Sequence, residues 1–241
     1  MILNDLLRSL RGEQGEETTD SVAVLDRVVI ESFLAESKNS FLISFPRTGS
    51  HWLRMIMELY FKRPSLVRVF YYPKESHYLT LHTHDKDLSV ERDNVIYLYR
   101  DPVETVYSQL NYYKENIHDH SRIVYWADQY GQHLDKWLYT ENFTKKKTVL
   151  TYEGMKCDMV NEFGKITDHF SEKLDVRRLK KATDRITKDE VKRKTSHDPQ
   201  VVQLKTDYGD LRNDFRRLHG QLVWDSVLTN RIHLERFFEH L

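Results

Sequence analysis

Three short apolar runs, each followed by a helical pattern, constrain this 241-residue chain more than any other feature of its sequence. They are Phe41–Phe45, Val95–Tyr99 and Thr148–Tyr152. Each has the length and the β-branched or aromatic content of a buried strand. After the first, Trp52, Met55, Ile56, Leu59 and Tyr60 fall on one helix face; after the second, Val103, Val106, Tyr107 and Leu110 do so; after the third come Met159, Phe163, Ile166 and Phe170. Strands alternating with helices predict βαβ units, hence an α/β fold with a central parallel sheet flanked by helices. Further helices are expected at Val22–Leu34 (Val22, Leu25, Val28, Val29, Phe33), Ile123–Leu138 (Ile123, Trp126, Tyr130, Leu134, Trp137) and Trp224–His240 (Val227, Leu228, Leu234, Phe237, Phe238). Residues 1–20 read as peripheral, with a polar, mobile loop over Arg11–Asp20. No internal repeat or linker divides the chain, so residues 1–241 are expected to form a single domain.

Composition narrows the function. Lys plus Arg and Asp plus Glu both number 37, so the net charge is zero. A dedicated nucleic-acid binder shows a basic excess, and none is present. Fourteen Tyr, 11 Phe and 4 Trp are too many aromatics for a solvating, disordered chain. The one cysteine, Cys157, excludes an internal disulfide framework and a Cys-rich zinc site, and it fits a reducing compartment. Residues 1–10 hold only short apolar pieces broken by Asn4, Asp5 and Arg8, unlike a signal peptide or a membrane anchor. The expectation is a cytoplasmic protein with neither membrane nor nucleic-acid partners.

Open parallel sheets bind ligands beyond the carboxyl ends of their strands. Two segments lie there. Pro46–Trp52 leaves a strand and opens a helix, where backbone N–H groups and the helix dipole favour phosphate or sulfate. Gly49 lets the backbone approach an anion; Thr48 and Ser50 offer hydroxyls; Arg47 offers a permanent charge and a bidentate fork. The segment is neither a Walker A sequence, since no Lys follows Gly49, nor a dinucleotide G-x-G-x-x-G. A plain strand-to-helix turn with a surface arginine is the alternative. The second segment starts at Arg100-Asp101-Pro102, where Asp101 suits a helix cap and Pro102 its first turn. Ser108 follows Arg100 by eight residues, about two turns, and shares with Asp101, Glu104 and Thr105 a face opposite the apolar one. Arg100 and Ser108 could grip a second phosphate; otherwise Ser108 faces solvent on a capped helix.

Taken together, these segments resemble the cofactor motifs of the cytosolic-type sulfotransferases, enzymes that use 3′-phosphoadenosine 5′-phosphosulfate (PAPS). Phe45–Trp52 is similar to the family's Tyr-Pro-Lys-Ser-Gly-Thr-x-Trp, with Arg47 at the lysine position. Arg100 and Ser108 match the arginine and serine that hold the 3′-phosphate, and Tyr152-Glu153-Gly154-Met155-Lys156 is similar to Tyr-Glu-x-Met-Lys, whose tyrosine sits by the adenine. The resemblance implies a three-layer, P-loop-like fold and PAPS contacts at Arg47, Thr48, Gly49, Ser50, His51, Trp52, Arg100, Ser108 and Tyr152. It implies adenosine 3′,5′-bisphosphate (PAP) as the nucleotide product and no metal. The family's late Arg-Lys-Gly element is not evident. The nearest substitutes are Arg193 and Lys194, in a stretch from Lys173 to Lys194 with ten basic and four acidic residues, and Arg212. Such runs are commonly solvated helix faces. The short chain suggests trimmed acceptor loops, as in a bacterial enzyme acting on secondary metabolites.

Sulfuryl transfer needs the acceptor's proton removed as the new bond forms, and a histidine suits this near neutral pH. His82-Thr83-His84 lies between the two phosphate segments. The resemblance gives His84 the place of the family's base, while His82 stands where the family has lysine. Residues two apart on an extended segment face the same side, so both could enter the cleft. A zinc-binding His-x-His pair and simple surface histidines are alternatives. Arg47 and His84 are the candidate catalytic residues, with Arg47 stabilising charge and keeping its proton. The acceptor is expected to be a small molecule offering a hydroxyl or amine, with Tyr71, Tyr72, Tyr78, Tyr112 and Tyr113 as candidate walls. A nucleotide-dependent phosphotransferase and a non-catalytic nucleotide-binding protein are the rival functions.

Overall fold

A computed structural model of the chain describes residues 27–66, 69–72, 77–140, 144–195 and 208–239. The peripheral segment 1–20, the first residues of the helix expected at Val22–Leu34, and His240 lie outside the described residues. In chain order the elements are α1 (Arg27–Ala35), β1 (Ser40–Ser44), α2 (Ser50–Phe61), β2 (Thr80–Thr83), β3 (Asn94–Tyr99), α3 (Pro102–Tyr112) and α4 (His120–Leu134). They continue with a π-helical turn (Asp135–Tyr139), β4 (Lys146–Thr151), α5 (Tyr152–Cys157), α6 (Met159–His169), α7 (Val176–Arg185), α8 (Lys188–Thr195) and α9 (Tyr208–Leu228). A 3-10 turn (Ile232–Phe237) closes the sequence of elements. The described strands form one parallel sheet in the order β2-β1-β3-β4.

Side chains two apart on a strand share a face, and the two faces build separate cores. Phe41, Ile43, Val95 and Tyr97 point to one face, where α1, α3, α4 and α9 supply Phe33, Val106, Tyr130 and Phe215. Leu42, Ile96, Leu98 and Leu150 point to the other, against Leu53, Ile56 and Tyr60 of α2, Phe163 of α6 and Leu179 of α7. The three layers account for the near-continuous apolar strands: a parallel sheet covered on both sides has no polar face.

Several elements differ from the sequence expectation. Tyr152 does not end a strand but opens α5, because Thr151 caps that helix by accepting the Gly154 N–H. Thr80–Thr83 is a strand although its Thr and His residues give it no apolar run; it lies at the sheet's edge. On α1, Val28 is exposed, while Ile30 and Phe33 are buried. The helix expected to run to Leu138 changes at Asp135 into a π-helical turn. The last helix starts at Tyr208 and stops at Leu228, ahead of Asn230 at φ 61°, a left-handed residue that breaks the helical path. Asp210, Arg212, Asp214, Arg216 and Arg217 had hidden its first half.

Helices α4 and α9 are in close contact at Gly131. A Cβ there would lie 2.7 Å from the Val227 carbonyl oxygen. Gly131→Ala should therefore push the helices apart and cost about 1–3 kcal/mol. At Gly164 on α6 the nearest atom to an added Cβ is 3.9 Å away. There Gly→Ala should stabilise by roughly 0.5–1 kcal/mol through helix propensity alone. Urea denaturation of both variants checks the pair; equal effects would show that the α4–α9 contact is not tight.

Candidate active site

The site begins where β1 ends. Beyond Ser44 the chain turns through Arg47 at φ 74° and Gly49 at φ 95° before entering α2. The Thr48 hydroxyl donates to the Phe45 carbonyl (2.9 Å), so it braces the turn itself. Among the described residues no side chain caps α2, whose first-turn amides carry the positive end of the helix dipole. Gly49 is required twice over: its φ is one that a side chain resists, and an added Cβ would lie 2.6 Å from Tyr152 Cδ2. Tyr152 thus lies directly on the turn, with the Trp52 ring edge-on to it at 5.7 Å. Ser50 is buried, and His51 meets Phe70 edge-on at 5.9 Å.

The two anion segments, distant in sequence, close on each other. Arg47 Nε donates to Ser108 Oγ (3.2 Å), and Arg100 Nη1 donates to the Arg47 carbonyl (3.3 Å). Ser108 is buried between the layers, not solvent-facing. The Arg47 guanidinium lies 5.4 Å from the Tyr112 ring centre and that of Arg100 lies 4.5 Å from the Tyr152 ring centre. Asp101 caps α3 by accepting the Glu104 N–H (2.9 Å), with Pro102 in the first turn as expected. The Tyr130 hydroxyl secures the Arg100 backbone, donating to its carbonyl (2.7 Å) and accepting from its N–H (3.0 Å).

Glu104 gathers further cations. It pairs with Arg100 (3.0 Å) and with Arg212 (3.3 Å) and Arg216 (3.1 Å) from α9; Arg216 also reaches Asp101 (3.0 Å). Arg100 Nε and Arg212 Nε are buried and have no hydrogen-bond partner among the described residues. Glu153, whose Oε1 accepts the Asp101 N–H (3.2 Å), has its carboxyl raised by burial. Arg216 carried no sequence signal beyond its charge. Arg193 is held by Glu190 (2.8 Å), and Lys194 donates to the Phe70 carbonyl and lies over Tyr71 (4.7 Å). These contacts place the two beside the 70–71 segment, whereas Arg212 stands with Arg100.

His82 and His84 project from the end of β2 beside β1, their rings 4.8 Å apart and perpendicular. Both are buried. His84 Nδ1 lies 2.6 Å from the Ser44 carbonyl, an acceptor only, so Nδ1 carries the proton and the neutral ring's lone pair is on Nε2. His82 Nε2 meets the Ser44 hydroxyl at 3.1 Å. The His84 carbonyl accepts from His133 Nε2 (2.8 Å), which leaves His133 Nδ1 to accept from the Tyr97 hydroxyl (2.9 Å). Full burial holds His133 neutral, its pKa pushed down to about 3. Asp85, the next residue, receives Arg92 through two bonds (3.1 and 3.0 Å) and the Thr83 hydroxyl (2.9 Å). His84 is therefore fixed from both sides along the chain. Among the described residues no group of three or more His, Cys, Asp or Glu could hold a metal ion.

A cavity of about 340 Å³ opens beside the turn, lined among others by Phe45, Pro46, Gln109, Tyr113, Trp126 and His133. Of the aromatics expected to line an acceptor site, Tyr113 does so; Tyr112 lies under Arg47, and Tyr71 donates to Glu190 (3.1 Å).

The chain is similar in structure to mouse sulfotransferase SULT7A1 complexed with PAP, with a TM-score of 0.58 at 19% identity, over 90% of this chain and 94% of that one. The fold is that of the cytosolic-type sulfotransferases. Retinol dehydratase in complex with androsterone and the inactive cofactor PAP aligns at a TM-score of 0.49 and 12% identity, over 80% of this chain and 81% of that one. No protein-family profile and no curated protein sequence matches the chain. Among the described residues no helix is long and apolar enough to cross a membrane.

The neutral His133 has a consequence for stability. An imidazole in the unfolded chain takes its proton near pH 6.5, and His133 in the fold resists until about 3. Its contribution is complete above about pH 6.5 and is lost as pH falls, by up to about 1.4 kcal/mol per unit. Denaturation between about pH 7 and 5 should show that slope. His133→Gln, which can still donate to the His84 carbonyl, should reduce it; an unchanged slope would assign the acid sensitivity to other groups.

Proposed function

We propose that this protein is a PAPS-dependent sulfotransferase that moves a sulfuryl group to a hydroxyl or amine of a small-molecule acceptor. The observation that carries the reading is the Arg47–Ser108 bond, which joins an uncapped helix start to a second basic centre in one cleft. Two tests of fit support PAPS. Gly49 lets the Tyr152 ring lie against the turn, where an aromatic ring could meet a base. Arg100 Nε and Arg212 Nε are buried donors in need of an acceptor, as beside a 3′-phosphate.

Bound there, PAPS supplies an activated sulfuryl group on a phosphate leaving group. The α2 amides, Ser50 and Arg47 would hold the 5′-phosphosulfate, with Thr48 shaping the turn and His51 and Trp52 continuing the wall. Arg100 and Ser108 would hold the 3′-phosphate with Arg212; Arg193 and Lys194 would contribute from the far side of the cleft. His84 Nε2 would take the acceptor's proton during sulfuryl transfer. Arg47 would keep its own proton and stabilise the negative charge of the phosphosulfate end. The whole chain acts as one domain, and its lone thiol, Cys157, suits the cytoplasm.

PAP should raise the melting temperature more than AMP or ATP at equal concentration, because it alone meets both anion centres. Arg100→Ala should weaken PAP binding by about 2–3 kcal/mol and AMP binding much less. Equal losses for both nucleotides would remove Arg100 from the 3′-phosphate site.

His84→Ala should lower kcat by about 10²- to 10⁴-fold with little change in PAP affinity. The wild-type rate should fall as pH drops through the histidine titration, and the variant should lose that limb. Near-normal turnover in His84→Ala, with the acidic limb intact, would transfer the role of base elsewhere.

A further inference from the structure

We infer that one turn of α4 sets the spacing of the site: Tyr130 positions Arg100, His133 positions His84, and both pack on Phe45. Phe45, His84 and Arg100 are each the first residue beyond a strand, after β1, β2 and β3. The paired register of the sheet stops at Ser44, Thr83 and Tyr99, so the ladder does not fix where these three residues lie. The functions of Arg100 and His84 rest on the sulfotransferase reading.

Each strand end meets the helix through its own contact. The Tyr130 hydroxyl donates to the Arg100 carbonyl (2.7 Å) and accepts from the Arg100 N–H (3.0 Å), so one atom fixes the peptides on both sides of Arg100. His133 Nε2 donates to the His84 carbonyl (2.8 Å), and the Tyr97 hydroxyl donates to His133 Nδ1 (2.9 Å), which holds the ring in that tautomer. The Phe45 ring centre lies 4.8 Å from that of Tyr130 and 5.5 Å from that of His133. Strands β2 and β3 flank β1, about 10 Å from each other, and side chains one helical turn apart reach both.

The helix offers rigid parts for this task. Tyr97, Tyr130 and His133 are buried. Burial keeps His133 neutral near neutral pH, so it remains a donor at Nε2 and an acceptor at Nδ1. The His84 carbonyl needs such a hold, because the next residue, Asp85, stands at φ 35°, in the left-handed region that a side chain resists. Without His133 the peptide between His84 and Asp85 can turn, and the His84 ring loses its aim at the Ser44 carbonyl. A ring so released moves toward the Nε2–H tautomer, the commoner one in free histidine, and thereby covers the nitrogen that would take the acceptor's proton. Tyr130 and His133 are thus positioning residues, acting through the backbone of the residues they hold.

The test compares the wild type with Tyr130→Phe, His133→Leu and His133→Gln, by NMR of the histidine ring nitrogens and by titration with PAP and AMP. Tyr130→Phe should narrow the preference for PAP over AMP about tenfold and leave the His84 signals unchanged. His133→Leu should shift His84 from Nδ1–H toward Nε2–H and leave the nucleotide preference unchanged. His133→Gln, which can still donate to the His84 carbonyl, should keep the wild-type signals. A merely structural role would lower melting temperatures and move neither readout. A PAP preference that survives Tyr130→Phe, or His84 signals that His133→Leu does not alter, overturns the inference. Should His133→Leu fail to fold, the wild-type His133 ring decides: a slowly exchanging Nε2–H upholds its bond to His84, and an Nδ1–H ring overturns it. A wild type that binds PAP no better than AMP overturns the sulfotransferase reading instead, and the His84 signals alone then decide the role of the α4 turn.

Discussion

Ser44, the last residue of the central strand, holds the two halves of the site together. Its carbonyl takes the His84 N–H and its hydroxyl meets His82, while the next residues turn into the anion loop. That arrangement depends on β1 pairing with β2 on one side and β3 on the other. The strand-end histidines and the Arg100 segment are then delivered to either flank of the same turn. A histidine fixed in one tautomer and the turn into α2 thus share a single backbone anchor. Moving that anchor would disturb the histidine pair and the turn together.

Electrostatics supply the second constraint. Arg100, Arg212 and Arg216 are drawn together by Glu104, and Arg216 also by Asp101. The carboxylates relieve repulsion among the cations without satisfying all of their N–H groups, and among the described residues Arg100 Nε and Arg212 Nε find no hydrogen-bond partner. Unmet donors in a low-dielectric setting are costly in the resting protein and attractive to an anion. The aromatic supports act in the same direction: Tyr152 lies beneath Arg100 and Tyr112 beside Arg47, which restricts long side chains that would otherwise wander.

Much of this was legible along the chain because its causes are local. A strand buried on both faces must be apolar throughout, so β1, β3 and the end of β4 stood out. The turn after β1 needs a glycine, and the helix after β3 shows its aspartate cap and first-turn proline in sequence. The edge strand β2 was read only as an extended segment, since an edge strand of Thr and His has no composition that separates it from a loop. The first half of α9 was missed because its charges serve the cleft: Arg212 and Arg216 occupy positions that, read alone, mark a solvated helix.

The sequence by itself determined the α/β alternation and the glycine turn, because periodicity and turn chemistry act over a few residues, and its resemblance to the sulfotransferase motifs made Arg47, Arg100, Ser108 and His84 candidates. Only the tertiary structure decided which basic residues join Arg100 and which nitrogen of His84 bears the proton. Each of those depends on groups far apart in the chain: Arg212 lies beyond the whole sheet, and the Ser44 carbonyl is 40 residues from His84. Packing brings such groups within hydrogen-bond reach, and no local pattern encodes the meeting.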